Sequence, residues 1–223
     1  KVTEVGDYIF RVAYIDPFQG AVMARFAREH LDITRVGLLT DTTNAYAVGL
    51  GRFFKERFLH EGGIVALEQR YSGSERDFKA QLTALRAANV DAIFVPGYYT
   101  EVGLIAVQAR ELGYRGPILG GDGWASPQLA ELAGAALHDT YYCDNFSLES
   151  SDPVTRRFIE RYRARYQLDP DSIAPLAYDA VALLADALTR AGSAQPAKLR
   201  QALATTSGFA GVSGSLTIDA KRN

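Results

Sequence analysis

The sequence predicts an α/β fold: a doubly wound parallel-sheet lobe followed by a mainly helical segment. Three observations predict it. Short apolar runs alternate with helically patterned stretches from Tyr8 to Asn145, which is the grammar of βαβ units. Residues 36–39 and 93–95 carry no polar side chain, as expected of parallel strands covered by helices on both faces. After Asn145 the strand runs nearly stop and three helical patterns follow.

In order, the strand runs are residues 8–13, 35–40, 63–71, 91–96, 117–120 and 140–144, rich in Val, Ile, Leu and aromatics and bounded by turn residues. Between the third and fourth, Phe78, Leu82 and Leu85 recur at spacings of four and three, with Lys79, Gln81 and Arg86 between them. That spacing marks an amphipathic helix. Beyond Asn145, Asp152-Pro153 reads as an N-cap followed by a first-turn proline. Val154, Phe158, Tyr162 and Tyr166 then repeat every four residues along one stripe. Helices over 174–191 and 196–205 follow, then a Gly-rich strand segment over 209–218. These helices have hardly any sheet to lie on, so their apolar faces require a partner. No internal repeat or low-complexity linker interrupts the chain.

Composition bounds the function. The 223 residues are 48% hydrophobic and 22% charged, enough apolar material for one large core or two small ones. Lys and Arg total 24 against 26 Asp and Glu, a net charge of −2, so no net field recruits nucleic acid or an anionic membrane. No stretch approaches the roughly 20 apolar residues of a membrane span, because the longest, around Ala177 to Leu188, is broken by Asp179 and Asp186. Cys143 is alone and is read as a core residue. The chain opens Lys1-Val2-Thr3 with no targeting segment to read, so compartment needs a separate argument.

In an open parallel sheet, ligands sit beyond the carboxyl ends of the strands. Three successive strand ends there deliver aromatic rings: Tyr46 within Asp41-Thr42-Thr43-Asn44-Ala45-Tyr46, the pair Tyr98-Tyr99 after Gly97, and Trp124 after Gly121-Asp122-Gly123. Rings beside a carboxylate suit a cation with an apolar body, such as an α-amino group. The same residues also suit a purely structural reading, with Tyr46 and Tyr98 capping the sheet, Asp122 forming an Asx-turn and Trp124 in the core. Spacing does not separate the two. His30, His60 and His138 lack metal-ligand spacing, and neither a metal nor a cofactor is called for. There is no G-x-S-x-G elbow or Walker loop, and Gly49-Leu50-Gly51 falls inside a helical pattern. Arg156, Arg157, Arg161, Arg163 and Arg165 surround the apolar stripe of their helix and read as a solvated face.

Several runs together resemble one known family. These are Tyr8-Ile9-Phe10-Arg11 with Asp16 and Gln19-Gly20, Ser74-Glu75-Arg76-Asp77-Phe78 leading into Leu82 and Leu85, Asp91-Ala92-Ile93-Phe94 with Gly97-Tyr98-Tyr99, and Gly120-Gly121-Asp122-Gly123. In order and over nearly the whole chain, they resemble the type I periplasmic binding proteins, and within these the branched-chain amino acid (Leu/Ile/Val) receptors of ABC transporters.

The resemblance implies two Rossmann-like lobes with residues 8–145 as the second ligand-binding lobe, 146–207 as part of the first and 208–223 as a crossover back. It further implies that the first third of a family member and a few C-terminal strands lie outside the chain. The implied protein is an extracytoplasmic, non-enzymatic receptor that binds an amino acid and docks to an ABC permease. By the same comparison Tyr46 and Tyr98 are the closing aromatics and Asp122 is the acceptor of the ligand ammonium. Where many relatives carry Glu, Asp122 is one methylene shorter, which leaves the choice of amino acid open. Trp124 and Phe18 are adjacent aromatics, candidates to narrow the pocket, to which the resemblance assigns no role. Alternatives are a receptor of the same fold for another carboxylated or aromatic metabolite or amide and, from another class, a flavodoxin-like α/β enzyme. Self-association is expected of the 223 residues alone, because Ala177, Tyr178, Val181, Leu184, Ala185 and Leu188 form an apolar helix surface with nothing to cover it.

Overall fold

Strand runs that are apolar on both faces need a neighbour on each edge and a helix above and below, and the fold supplies both. The computed structural model describes residues 2–223. Five strands, β1 (Arg35–Asp41), β2 (Ile64–Tyr71), β3 (Ala92–Phe94), β4 (Ile118–Gly120) and β5 (Thr140–Tyr142), form one parallel sheet in the order β2-β1-β3-β4-β5. Helices α1 (Asp16–Glu29), α2 (Ala45–His60), α3 (Lys79–Ala87), α4 (Tyr99–Glu111) and α5 (Pro127–Ala133) cover it. This is the expected α/β sheet lobe.

The two-residue periodicity of a strand sorts the core. Val36, Leu38, Ala92, Phe94 and Leu119 face α1 and α2, packing with Met23, Ala24, Leu50, Phe54 and Phe58. Their sequence neighbours Leu39, Ile93, Val95 and Ile118 face the other way, onto Phe78, Leu82 and Leu85 of α3 and its approach and Val102, Ile105 and Ala106 of α4. Both faces are buried, which is why these runs lack polar alternation.

The chain divides into two compact units, Ile15–Asp144 and Asn145–Asn223 together with the segment ending at Tyr14. In the second, α6 (Pro153–Tyr166), α7 (Ile173–Ala191) and α8 (Pro196–Ala204) precede an antiparallel hairpin of β6 (Phe209–Gly211) and β7 (Gly214–Leu216). As expected, the Asp152 side chain caps α6, with Oδ1 accepting from the Val154 and Thr155 amides at 2.9 and 3.0 Å. Arg190 of α7 reaches the Ala202 carbonyl at 2.6 Å and Thr206 Oγ1 at 2.8 Å, tying α7 to the end of α8.

Two expectations are corrected here. Residues 8–13 form no strand: the run has strand-forming side chains, but its backbone makes only scattered bonds, Ile9 N–H to the Gly6 carbonyl, Arg11 N–H to the Arg222 carbonyl and the Ile9 carbonyl from the Arg222 side chain, and no ladder. Residues 209–218 are a hairpin and not one strand, because Asp179 holds a turn in their middle. Asp179 is 1% exposed. Its carboxylate accepts from the Val212 amide (2.7 Å), the Ser213 amide (2.8 Å) and the Ser213 hydroxyl (2.5 Å).

The apolar surface expected on α7 is present, with Tyr178, Leu184 and Val181 exposed, the last at 69%. An open groove of about 790 Å³ runs beside it, lined by Phe158, Tyr162, Ala174, Tyr178 and Val212 and edged by Arg161. Arg156, Arg157, Arg161, Arg163 and Arg165 are all exposed.

Asp179→Ala is expected to leave buried hairpin amides without an acceptor and to cost roughly 3 kcal/mol. Urea unfolding of the variant measures the loss, and hydrogen exchange should report it first at Val212 and Ser213.

Candidate ligand-binding site

The strand order reverses between β1 and β3. The helices leaving them, α2 and α4, pack on opposite faces, so a crevice opens where the two strands end. Tyr46 and Tyr98 come from those two ends, and Asp122 from the end of neighbouring β4.

Local chemistry sets each residue in place. At the end of β1, Asp41 Oδ1 accepts from the Thr43 amide (2.8 Å) and hydroxyl (2.6 Å), turning the chain. Asn44 then caps α2, accepting from the amides of Tyr46 (2.9 Å) and Ala47 (3.2 Å). Its favourable capping chemistry puts Tyr46 in the first helical turn, above the sheet edge. Tyr98 is the N-cap residue of α4; before it Gly97 passes so near Tyr71 that a Cβ would lie 2.8 Å from the Tyr71 hydroxyl. Asp122 opens a 3-10 turn, Asp122–Trp124, directly after β4.

The three residues meet. The rings of Tyr46 and Tyr98 lie 5.3 Å apart, tilted by 31°. Tyr46 Oη donates to Asp122 Oδ1 at 2.8 Å and accepts from the Gly123 amide at 3.1 Å. Both glycines beside Asp122 are demanded by this packing. A Cβ on Gly121 would overlap Gln19 Oε1 and lie 2.5 Å from a Leu50 methyl, and one on Gly123 would lie 2.5 Å from the Gly97 carbonyl oxygen.

Burial, then the Asp122 charge, push the Tyr46 hydroxyl far above the usual tyrosine range, so it stays a donor to the carboxylate. Tyr46 therefore occupies one oxygen of Asp122. A carboxylate bound this way next to the Tyr46–Tyr98 ring pair is an arrangement able to hold an ammonium group by a charge-assisted hydrogen bond and ring electrostatics.

Of the other two candidates, Phe18 is exposed, whereas Trp124 is 1% exposed, its indole N–H donated to the Val95 carbonyl at 3.1 Å. Trp124 is a buried support beneath the turn, its ring filling the space a Cβ on Gly120 would need. The structure adds Gln19, which stood in the sequence only as part of the Gln19-Gly20 pair and not as a site residue: Oε1 accepts from the Asp122 amide at 2.8 Å across 103 positions.

Burial, reinforced by Asp122 and Asp144, pushes the Cys143 thiol up to about 12, away from thiolate reactivity. His30, His60 and His138 are exposed at helix ends. Among the described residues no cluster of His, Cys, Asp or Glu is arranged to hold a metal ion, and no helix is long and apolar enough to cross a membrane.

Residues 2–223 match the model of a family described as periplasmic binding protein. The chain belongs to the periplasmic binding protein family. Among solved members, the leucine-binding protein LivK of Thermotoga maritima is 39% identical with a TM-score of 0.89, the match covering 99% of this chain and 63% of LivK. LivJ of Streptococcus pneumoniae, a branched-chain amino acid transporter substrate-binding protein solved with isoleucine, is 34% identical with the same TM-score and the same coverage. A leucine-, isoleucine-, valine-, threonine- and alanine-binding protein of Pseudomonas aeruginosa is 29% identical over 214 residues, 96% of this chain and 56% of that protein. The chain thus spans somewhat over half the length of these relatives.

The tyrosines give the sheet unit a pH dependence. Burial is the first cause of raised values at Tyr46, Tyr71 and Tyr114. A raised folded value favours the protonated form, so the stability it carries is complete below the unfolded value of about 10 and falls as pH rises beyond it, by about 1.4 kcal/mol per pH unit for each tyrosine. Tyr46→Phe is expected to make this alkaline decline shallower by one proton, as read from urea midpoints measured below and above pH about 10.

Proposed function

We propose that this chain is part of the solute-binding component of an ABC importer, a non-enzymatic, extracytoplasmic receptor for a branched-chain or related amino acid. The observation that carries the reading is the Asp122 carboxylate, held by the Tyr46 hydroxyl beside the Tyr98 ring at the switch point of the sheet. In it, Asp122 takes the ligand's α-ammonium and the two tyrosines flank it, while the α-carboxylate is gripped by the other lobe. The ligands of the relatives, leucine and isoleucine among them, support an amino acid. The disarmed thiol and the remote histidines support binding without catalysis.

The compact unit Ile15–Asp144 supports reading residues 8–145, from Ile15 onward, as the second ligand-binding lobe, with 146–207 part of the first and 208–223 a crossover. An ABC permease as partner and a periplasmic location follow from the same family reading. Self-association of the 223 residues alone belongs with it, supported by the exposed Tyr178, Val181 and Leu184.

Asp122→Asn in the full-length protein is the direct test. Asn keeps an oxygen for the Tyr46 hydroxyl, so the turn survives, but the charge is gone. Amino acid affinity is expected to fall more than tenfold, about 1.4 kcal/mol or more. Tyr46→Ala and Tyr98→Ala are expected to lower affinity more than they lower stability, Tyr98 most cleanly because it is 46% exposed and contributes little to the core. Calorimetric titration with leucine, isoleucine and valine, beside melting curves, measures both; unchanged affinity in Asp122→Asn removes Asp122 from the site.

A further inference from the structure

We propose that Gln19 is a positioning residue for this site: from helix α1 its side-chain oxygen locks the turn that aims Asp122. The proposal rests on reading Asp122 as the acceptor of an amino group.

Gln19 lies in the first turn of α1 and is 1% exposed, unusual burial for an amide side chain. Its Oε1 accepts from the Asp122 amide at 2.8 Å. The same oxygen packs against Gly121, where a Cβ would overlap it, so the amide rests directly on the backbone of the turn. Tyr46 Oη is 3.5 Å from Gln19 Oε1 and 2.8 Å from Asp122 Oδ1. With a single hydrogen to give, the hydroxyl serves the nearer, charged acceptor. Labour is thereby divided: Gln19 holds the backbone of Asp122, Tyr46 holds its carboxylate, and the Gly123 amide closes the ring onto Tyr46.

Two further features argue that Gln19 is kept for this bond and not for packing. Its Nε2 is buried with no hydrogen-bond partner among the described residues, a cost that an apolar side chain of similar length would avoid. The next residue, Gly20, lets α1 approach α2 so closely that a Cβ would lie 2.7 Å from the Phe54 amide nitrogen. This near approach seats the start of α1 against the helix that carries Tyr46.

The test uses the full-length protein and compares Gln19→Met, Gln19→Glu, Asp122→Asn and the double variant Gln19→Met/Asp122→Asn. Ligands are L-leucine and 4-methylpentanoate, which is leucine without its amino group. Gln19→Met is expected to weaken leucine about tenfold and 4-methylpentanoate by less than twofold, with no lower melting temperature. In the Asp122→Asn background the same change should have little further effect, since both act on one contact. Gln19→Glu keeps an oxygen acceptor and is expected to retain protection of the Asp122 amide from hydrogen exchange, which Gln19→Met loses. This exchange measurement stands even if Gln19→Met binds no ligand. Equal weakening of both ligands, full additivity with Asp122→Asn, or unchanged Asp122 protection in Gln19→Met would overturn the proposal. Asp122→Asn that leaves leucine affinity intact would instead overturn the site reading on which it rests.

Discussion

Everything at the candidate site follows from the reversal of strand order at β1. Because α2 and α4 leave their strands toward opposite faces of the sheet, a crevice opens at the ends of β1 and β3, and side chains from both ends converge there. The carboxylate of the next strand joins them only because the backbone at Gly120 to Gly123 carries no Cβ except at Asp122. Each of these three glycines is pressed by a different neighbour: Trp124 at Gly120, Gln19 and Leu50 at Gly121, and the Gly97 carbonyl at Gly123. A small loop is thus wedged among an indole, an amide and two phenol rings.

The same wedge sets the electrostatics. Burial and then the Asp122 charge raise the Tyr46 hydroxyl well above the usual tyrosine range, so near neutral pH its proton stays with the bond to Asp122. The Asp122 carboxylate has aromatic surface beside it, and Asp16 and Asp144 add negative charge nearby. An anionic ligand would meet repulsion at this edge, and a neutral one would leave a partly desolvated carboxylate without a counter-charge. Under the proposed function, a group bearing positive charge is what this carboxylate takes.

Much of this was legible in the sequence, and the reasons for the rest are physical. The parallel sheet was readable because strands buried on both faces must be apolar throughout, as at Val36 to Leu39. The cap at Asp152 was readable because capping is local. Tyr46, Tyr98 and Asp122 were nameable because ligand sites follow strand ends, and their convergence is now visible. The contact of Gln19 with Asp122 was not readable, although the Gln19-Gly20 pair formed part of the family resemblance, since a hydrogen bond spanning 103 positions leaves no periodic trace. Asp179 showed itself only as a break in an apolar run, yet it folds the chain thirty-odd positions later into a hairpin. The run at residues 8–13 had the side chains of a strand and lacked a neighbour to pair with, and propensity alone does not supply one. Trp124 was offered both as core and as pocket aromatic, and its indole N–H, spent on the Val95 carbonyl, shows it buried.

The bond between Tyr46 and Asp122 lies wholly inside the unit Ile15–Asp144. Its donors and acceptors are therefore in register before anything arrives, and the carboxylate has little rotational freedom left to surrender. Entropy that a looser acid would lose on capture has already been lost in folding. Under the proposed function, such an acceptor discriminates by shape and distance, so a ligand whose amino group sits a fraction of an ångström too far gains little from its approach, and selectivity among similar small molecules becomes a matter of reach.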